Sequence, residues 1–241
     1  MIFNIQNKTK VKYIIHPSNI PLGVFPEIQK YPEVIKKTGC PAVHSIDGKL
    51  WYVNSYLDME IEFGFNSDGN SYFKYEYNKK IHPNVNAVHD MIKQNIFLNT
   101  ATNSKKNYLD LQVGTPYAFV TDDKELEVNT LPVNIQYENC FYVPGGLKPA
   151  NWIRTLNSAY LLDDFSKPAK IKLSIDKPIL SFHFNKPIDL EYTEYTEDIK
   201  DYHQMSNRIV NYRRKLEKSV IKTIIKKRKN KLLWLKLNGQ V

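Results

Sequence analysis

The sequence contains few of the residues that build thiolate metal sites and flexible linkers. Only two of its 241 residues are cysteine, and Cys40 and Cys140 lie far apart without a CxxC spacing. A zinc site made of thiolates needs closely spaced cysteines, so such a site is not expected. Nine glycines against 13 prolines indicate fixed turns and few flexible linkers.

Long hydrophobic runs are also missing. A transmembrane helix needs about 18 or more consecutive apolar residues, and no such stretch is present. The first residues, MIFNI, have neither the charged region nor the long apolar region of a signal peptide. These absences predict a soluble protein of the cytoplasm, or of the host-cell cytoplasm if the protein is encoded by a phage.

Sequence motifs for catalysis are lacking as well. The chain has no G-x-S-x-G nucleophile elbow, no Walker A loop and no G-x-G-x-x-G. Its carboxylates are dispersed, so no pair is suited to glycoside hydrolysis. Neither Cys40 nor Cys140 has a basic neighbour that would favour the thiolate, and each is expected to be a small buried hydrophobic residue. The sequence therefore favours a protein without a catalytic site.

What the sequence contains in quantity is alternation of apolar and polar residues, most of all between Tyr108 and Phe184. In a β-strand this period of two places one set of side chains on the core and the other in water. The 16 tyrosines and 11 phenylalanines also suit strands. The clearest alternating segments are 108–113, 117–120, 133–137, 171–175 and 179–184. The residues Gly114, Thr115 and Pro116 predict a turn between the first two.

The part of the chain before this block shows a second strand pattern. Met59 to Phe65 alternates strictly and Tyr72 to Tyr77 follows a turn, which predicts a β-hairpin. Residues 84–98 fit either a short helix or a loop, and both interpretations stay open. Residues 99–107 predict a polar loop. Between Pro26 and Pro32 there is room only for a short turn of helix.

These patterns predict a mainly β protein, a β-sandwich or jelly roll similar to a double-stranded β-helix. Residues 1–190 are expected to form this domain, with a proline-rich arm at 1–46. Residues 191–241 are expected to form a basic helical extension that packs on the same domain. From Ile209 to Ile224, apolar residues recur at three- and four-residue steps, which predicts an α-helix with one apolar stripe.

The positive charge of the chain is concentrated near its end. The net charge is +9, but residues 203–237 contain twelve Lys or Arg and one Glu, so the rest of the chain sums to −2. Basic side chains crowd the end of the predicted helix: Lys222, Lys226, Lys227, Arg228, Lys229 and Lys231.

Three interpretations of this basic region stay open. Residues 208–236 could bind nucleic acid or another acidic partner through the release of counterions. They could lie on an anionic membrane surface with Trp234 as an apolar anchor. They could also pack on the sandwich through the apolar stripe while the lysines stay in water. No aromatic residues are interleaved with the lysines, which counts against base stacking by the helix itself. Strand edges or the stripe would also permit a homodimer.

Histidines suggest an alternative function in a different class. A cupin-like, non-haem iron oxygenase needs two histidines and a carboxylate on one metal. His183 lies in a late strand segment, and His44 or His89 would be the second ligand, with Asp47 as a nearby carboxylate. This alternative would require iron or zinc. Without it, no cofactor is expected.

Several segments together resemble an uncharacterised family of small β-rich proteins from tailed phages of marine cyanobacteria and from some bacteria. The similar segments are Pro21–Lys37, Gly39–Val43, Trp51–Asn54, Asp58–Glu62, Leu111–Phe119, Ile175–Leu180 and Phe182–Phe184. The resemblance covers residues 11–190. It departs at Pro116, which is followed by Tyr117 where the family has Pro-Pro-Gly after the threonine. It implies a β fold in a phage or marine bacterial setting, and it assigns no activity or site. The leading hypothesis is a non-enzymatic accessory or binding protein.

Overall fold

The structure is a computed structural model. It describes residues 8–15, 27–31, 47–103, 106–132, 136–150, 155–175, 177–201 and 233–238.

The described residues form a mainly β protein with one longer helix, α1 (Val85–Asn95). Residues 197–201 and 233–237 are also helical. The strands are β1 (Thr9–Ile15), β2 (Gln29–Lys30), β3 (Leu50–Asn54), β4 (Met59–Phe65), β5 (Ser71–Tyr77), β6 (Ile96–Asn103), β7 (Lys106–Val120), β8 (Val128–Pro132), β9 (Gln136–Glu138), β10 (Cys140–Val143), β11 (Gly146–Leu147), β12 (Thr155–Leu162), β13 (Ala169–Leu173), β14 (Pro178–Phe184) and β15 (Ile188–Tyr192). The predicted fold class is confirmed at this level, and the jelly-roll topology stays a prediction.

The long strand β7 organises a six-stranded sheet with the order β10-β12-β7-β1-β15. Strand β12 pairs with one side of β7, while β6 and then β1 pair with successive parts of its other side. The predicted turn at Gly114–Pro116 is wrong, because β7 runs unbroken through these residues. Proline has no N–H to donate to a ladder. The register with β12 shifts between Thr155 and Asn157, which accommodates Thr115 and Pro116 without a turn.

The other two sheets form one continuous layer. The five-stranded sheet has the order β11-β8-β14-β3-β2, and the four-stranded sheet has the order β5-β4-β13-β9. Three pairs of strands, one from each sheet, are consecutive along the chain: β3 and β4, β8 and β9, and β13 and β14. A bridge between Ser55 and Ile175 and a 2.7 Å hydrogen bond from the Ser55 N–H to the Lys177 carbonyl join the sheets at the bend. This two-layer arrangement is compatible with a β-sandwich.

The core lies between the six-stranded sheet and this second layer. The ring of Phe119 on β7 packs edge-on against Phe182 and Phe184 of β14, at centroid distances of 5.0 and 5.4 Å. Tyr160 on β12 contacts Tyr137 of β9, so the four-stranded sheet faces the same partner. Helix α1 adds Met91, which is fully buried, to the same cluster.

The chain passes between the two layers at Asn139. This residue lies between β9, in the four-stranded sheet, and β10, in the six-stranded sheet, and its φ of 53° is left-handed. Its side-chain amide donates to the carbonyls of Asp164 and Lys167 at 2.9 and 2.8 Å, and its side-chain oxygen accepts from the Asp164 N–H at 3.0 Å. One asparagine thus holds two corners of the sandwich together.

Local predictions before β7 were partly correct. The hairpin of β4 and β5 is confirmed, with Met59, Ile61 and Phe63 buried. Residues 85–95 form a helix, whose N-cap Asn84 accepts a hydrogen bond from the Ala87 N–H at 3.1 Å. The polar loop predicted at 99–107 is wrong, since β6 extends to Asn103 and pairs with β7 from Lys106. Residues 29–30 are a short strand beside β3 rather than helix.

The two ends of the predicted sandwich domain meet in one sheet. Strand β1, which falls within the predicted arm, pairs in parallel with β15. The predicted boundary at 190 falls inside β15. Residues 202–232, which contain the predicted apolar stripe, lie outside the described residues.

Candidate binding surface

The six-stranded sheet has an outer face that points away from the core. On β7, Leu109, Leu111 and Val113 are buried in the core, so Asp110 and Gln112, which alternate with them, point outward. The same alternation on β12 buries residues 156, 158, 160 and 162 and leaves the odd-numbered residues half-buried. The outer face divides into a covered part and an open part.

The covered part lies over β1 and the end of β7. Ile14 pairs with Ala118, and both pack outward against residues near the C-terminus. Leu233 and Trp234 are 4% and 7% exposed and belong to this cluster, together with Ile199. Because Trp234 is buried in the protein, it is not available as the membrane anchor considered from the sequence.

Polar contacts fix the same C-terminal residues. The Lys236 ammonium lies 3.0 Å from a carboxylate oxygen of Asp198, and the Lys12 ammonium donates to the Leu237 carbonyl at 2.7 Å. The residues on both sides of the basic region, from Asp198 and from Leu233 to Leu237, are therefore held together on this sheet. The basic residues Lys222, Lys226, Lys227, Arg228, Lys229 and Lys231 lie outside the described residues.

The open part of the outer face lies over β10, β12, β7 and β6, and we call it the open face. Cross-strand register places one row of its side chains in the order Val143, Ala159, Gln112, Phe97. The next row is Phe141, Leu161, Asp110, Asn99. Tyr108 follows on β7. Three aromatic rings on the open face are exposed to solvent: Phe97 is 44%, Tyr108 42% and Phe141 56% accessible.

Amide side chains lie among these rings. Asp110 accepts hydrogen bonds from the amides of Asn99 at 3.3 Å and Gln112 at 3.1 Å. The Asn157 amide donates to Gln112 at 3.4 Å. The open face therefore combines exposed aromatic rings with a connected set of donors and acceptors.

Those candidate metal ligands that lie within the described residues are not close to one another. His183 points away from the core, because its neighbours Phe182 and Phe184 are fully buried. It lies between Asn129 and Leu50 on the outer side of the five-stranded sheet. His89 lies on α1, with its ring 6.0 Å from that of Tyr75.

The remaining parts of the predicted metal site give no cluster. Asp47 forms an ion pair with Lys30 at 3.4 Å, and His44 is outside the described residues. Within the described ranges, no three His, Cys, Asp or Glu side chains are grouped to hold a metal ion. The iron or zinc oxygenase stays an untested alternative.

Two other side chains that could react, the thiol of Cys140 and the imidazole of His82, are buried in the fold. Burial raises the pKa of the Cys140 thiol to about 12, so this cysteine is a buried apolar residue as predicted. Burial lowers the pKa of His82, against the opposing charge of Asp58. The Nε2 atom of His82 accepts a hydrogen bond from the Asp58 N–H at 3.2 Å.

Sequence reasoning missed the open face. Phe97 and Phe141 are far apart along the chain, and only the register of four strands brings them to one surface. The available signal was alternation, which identifies an outward set of residues without showing which strands are neighbours.

Comparisons of the chain with protein-family models, curated proteins and solved structures found no match. The resemblance to a phage family therefore stays a prediction. None of the helices formed by the described residues is long and apolar enough to cross a membrane.

Proposed function

We propose that this is a non-catalytic binding protein, an accessory protein in a phage or marine bacterial setting, that presents residues 202–232 to nucleic acid. The observation that carries the proposal is the fixed position of both flanks of this segment on the six-stranded sheet. Asp198 precedes the segment and Lys236 follows it, and their side chains are 3.0 Å apart.

The charge of the segment supports an anionic polymer as the partner. Residues 202–232 contain eleven Lys or Arg and one Glu, while the net charge of the whole chain is +9. The rest of the protein therefore supplies little attraction for phosphates. Binding of Lys and Arg to phosphates releases condensed counterions, so the affinity is expected to fall steeply with salt.

The anchored flanks permit a clean test of this proposal. A variant in which a short Gly/Ser linker replaces residues 202–232 keeps Leu233 and Trp234 in the covered part of the sheet. A simple truncation before Arg208 would remove both residues and leave Ile14 without its cover. The linker variant thus separates loss of the segment from loss of the fold.

The expected result is salt-dependent binding of DNA by the wild type and loss of that binding in the linker variant. If six to ten phosphates are contacted, affinity should fall by about 10³–10⁵-fold between about 50 and 200 mM salt. Binding that is insensitive to salt, or that survives removal of the segment, would contradict the proposal.

A second pair of variants tests whether binding depends on the charge of the basic segment or on the net charge of the whole protein. Four substitutions by glutamine at Lys226, Lys227, Arg228 and Lys229 should weaken binding and reduce its salt slope. The same number of substitutions at exposed lysines of the sheets and turns leaves the basic segment intact and should have a smaller effect. The control positions are Lys79, Lys80, Lys124 and Lys172.

A further inference from the structure

We propose that the open face binds the bases of a single-stranded nucleic acid. This inference rests on the proposed function, in which residues 202–232 supply contacts to phosphates. The proposed function assigns the phosphates of the partner to the basic segment, and this inference assigns its bases to the open face. The bases stack on Phe97, Tyr108 and Phe141, and the phosphates remain free to contact basic side chains.

The three rings are placed to act separately. Phe141 lies two strands from Asp110, Tyr108 lies two residues along β7 from Asp110, and Phe97 lies beside β7 on β6. With strands about 4.8 Å apart and a rise of about 3.4 Å per residue, these ring-bearing residues are about 12–16 Å from one another. Each ring can therefore stack on a separate base. Duplex DNA keeps its bases stacked inside the helix and does not offer them to such a surface.

The polar groups between the rings suit bases better than an apolar partner. Asn99, Gln112 and Asn157 offer amide donors and acceptors, and Asp110 offers a carboxylate. Base edges can form hydrogen bonds with such groups. A dry apolar interface would instead bury the Asp110 carboxylate, which is costly without a charged partner.

The positive charge that would complement the phosphates of a nucleic acid belongs to the basic segment, residues 202–232. The flanks of the basic segment pack on the covered part of the same outer face, through Ile199 and Trp234. Both parts share strand β7: Ala118 and Val120 are covered, and Asp110 and Gln112 are open. The described residues on both sides of the basic segment therefore lie on the same outer face as the exposed rings.

The test compares two oligonucleotides of equal length and charge: oligo-deoxythymidine and an abasic strand that keeps only sugar and phosphate. Wild-type protein should bind the thymidine strand more tightly. The triple variant Phe97→Ala, Tyr108→Ala, Phe141→Ala should lose this preference, with a loss in affinity of about 5-fold or more per ring. Its affinity for the abasic strand should stay unchanged.

Two further variants act as controls. Phe165→Ala removes an equally exposed ring, 42% accessible, that stacks on Phe65 outside the open face. It should keep the preference for thymidine. Replacing Phe97 and Phe141 by leucine keeps apolar area but removes the rings, so it should weaken binding to the thymidine strand if stacking is the cause. Unchanged preference in the leucine variant would overturn the proposal.

Other results would also overturn it and separate it from the proposed function. Equal, salt-dependent affinity for both strands would leave the basic segment as the whole binding site. A concentration-dependent dimer that dissociates in the triple alanine variant, with no preference for bases, would make the open face an interface between two copies of this chain. A preference for thymidine that persists after residues 202–232 are replaced would uphold the open face and contradict the proposed role of the segment.

Discussion

The Asp198 carboxylate and the Lys236 ammonium form an ion pair at 3.0 Å across 38 positions of the sequence. Both side chains are about half exposed, so the pair itself is expected to contribute at most about 1 kcal/mol. The burial of Leu233 and Trp234 on Ile14 and Val120 must therefore supply most of the attachment.

Trp234→Ala should lower the free energy of unfolding by about 3–5 kcal/mol, because it empties a buried site against the outer face of the sheet. Lys236→Ala should lower it by about 1 kcal/mol or less. Urea unfolding at neutral pH measures both. Equal effects of the two substitutions would show that the indole does not provide the main attachment.

Substitution of Asn139 should lower stability in two ways that can be measured separately, through its side-chain hydrogen bonds and through its left-handed backbone conformation. Asn139→Gly keeps a residue that adopts the left-handed conformation but removes the side-chain hydrogen bonds to residues 164 and 167. Asn139→Ala removes the bonds and adds a conformational cost of about 1–2 kcal/mol. The alanine variant should therefore have the lower thermal midpoint of the two. A glycine variant as stable as the wild type would mean that the hydrogen bonds contribute nothing.

Asp123 should link stability to acid. Burial opposes its ionisation, but hydrogen bonds from Lys186 at 2.6 Å, the Glu125 N–H and Thr9 outweigh burial and lower its pKa. A lowered folded-state pKa gives stability that is complete above the unfolded value of about 3.9 and is lost as pH falls through the folded value.

Asp123→Asn should therefore be less stable than wild type at pH 7 by about 1–3 kcal/mol. The difference should shrink as the pH falls below about 4. Urea unfolding over this range measures the effect. Asp122→Asn is the matched control at an exposed neighbour. A difference between Asp123→Asn and wild type that is the same at every pH would show that ionisation is not involved.

His82 should link stability to pH in a higher range. Its side chain is 7% exposed, and burial lowers its pKa below the unfolded value of about 6.5. Below that value the unfolded chain binds the proton more readily than the folded protein, so stability declines from about pH 6.5 toward the folded pKa. His82→Gln should flatten this decline, as measured by urea unfolding between pH 7 and pH 5. His89→Gln, at an exposed site, is the matched control.

The sequence predicted strands where alternation was strict, as in β4 and β13. It was wrong at residues 114–116, where a turn was predicted and β7 continues as a strand. The residues of β7 from Val113 to Val120 are all buried, so burial there does not alternate. It was also wrong at residues 99–103, where pairing decides the structure. The polar residues after Leu98 gave no sign of a strand, yet their backbone pairs with β7 along its whole first half.

The candidate surface was harder to predict than the fold. Charge in residues 203–237 is visible in composition, and it led directly to the nucleic-acid hypothesis. The open face depends on which strands are neighbours, and Phe97, Tyr108 and Phe141 show no pattern that would connect them in sequence. His183, a candidate metal ligand on a late strand, lies between two buried phenylalanines and therefore on the outer side of the five-stranded sheet.

Strand β1 pairs with β15, so Thr9 meets Ile188. During synthesis, this side of β1 must wait until β15, which begins at Ile188, has been made. Loops of that length close slowly, and the unpaired edge of β1 can meanwhile associate with other strands. Pairing of this edge of β1 should therefore be a late event, and chains that end before β15 should be the ones that aggregate.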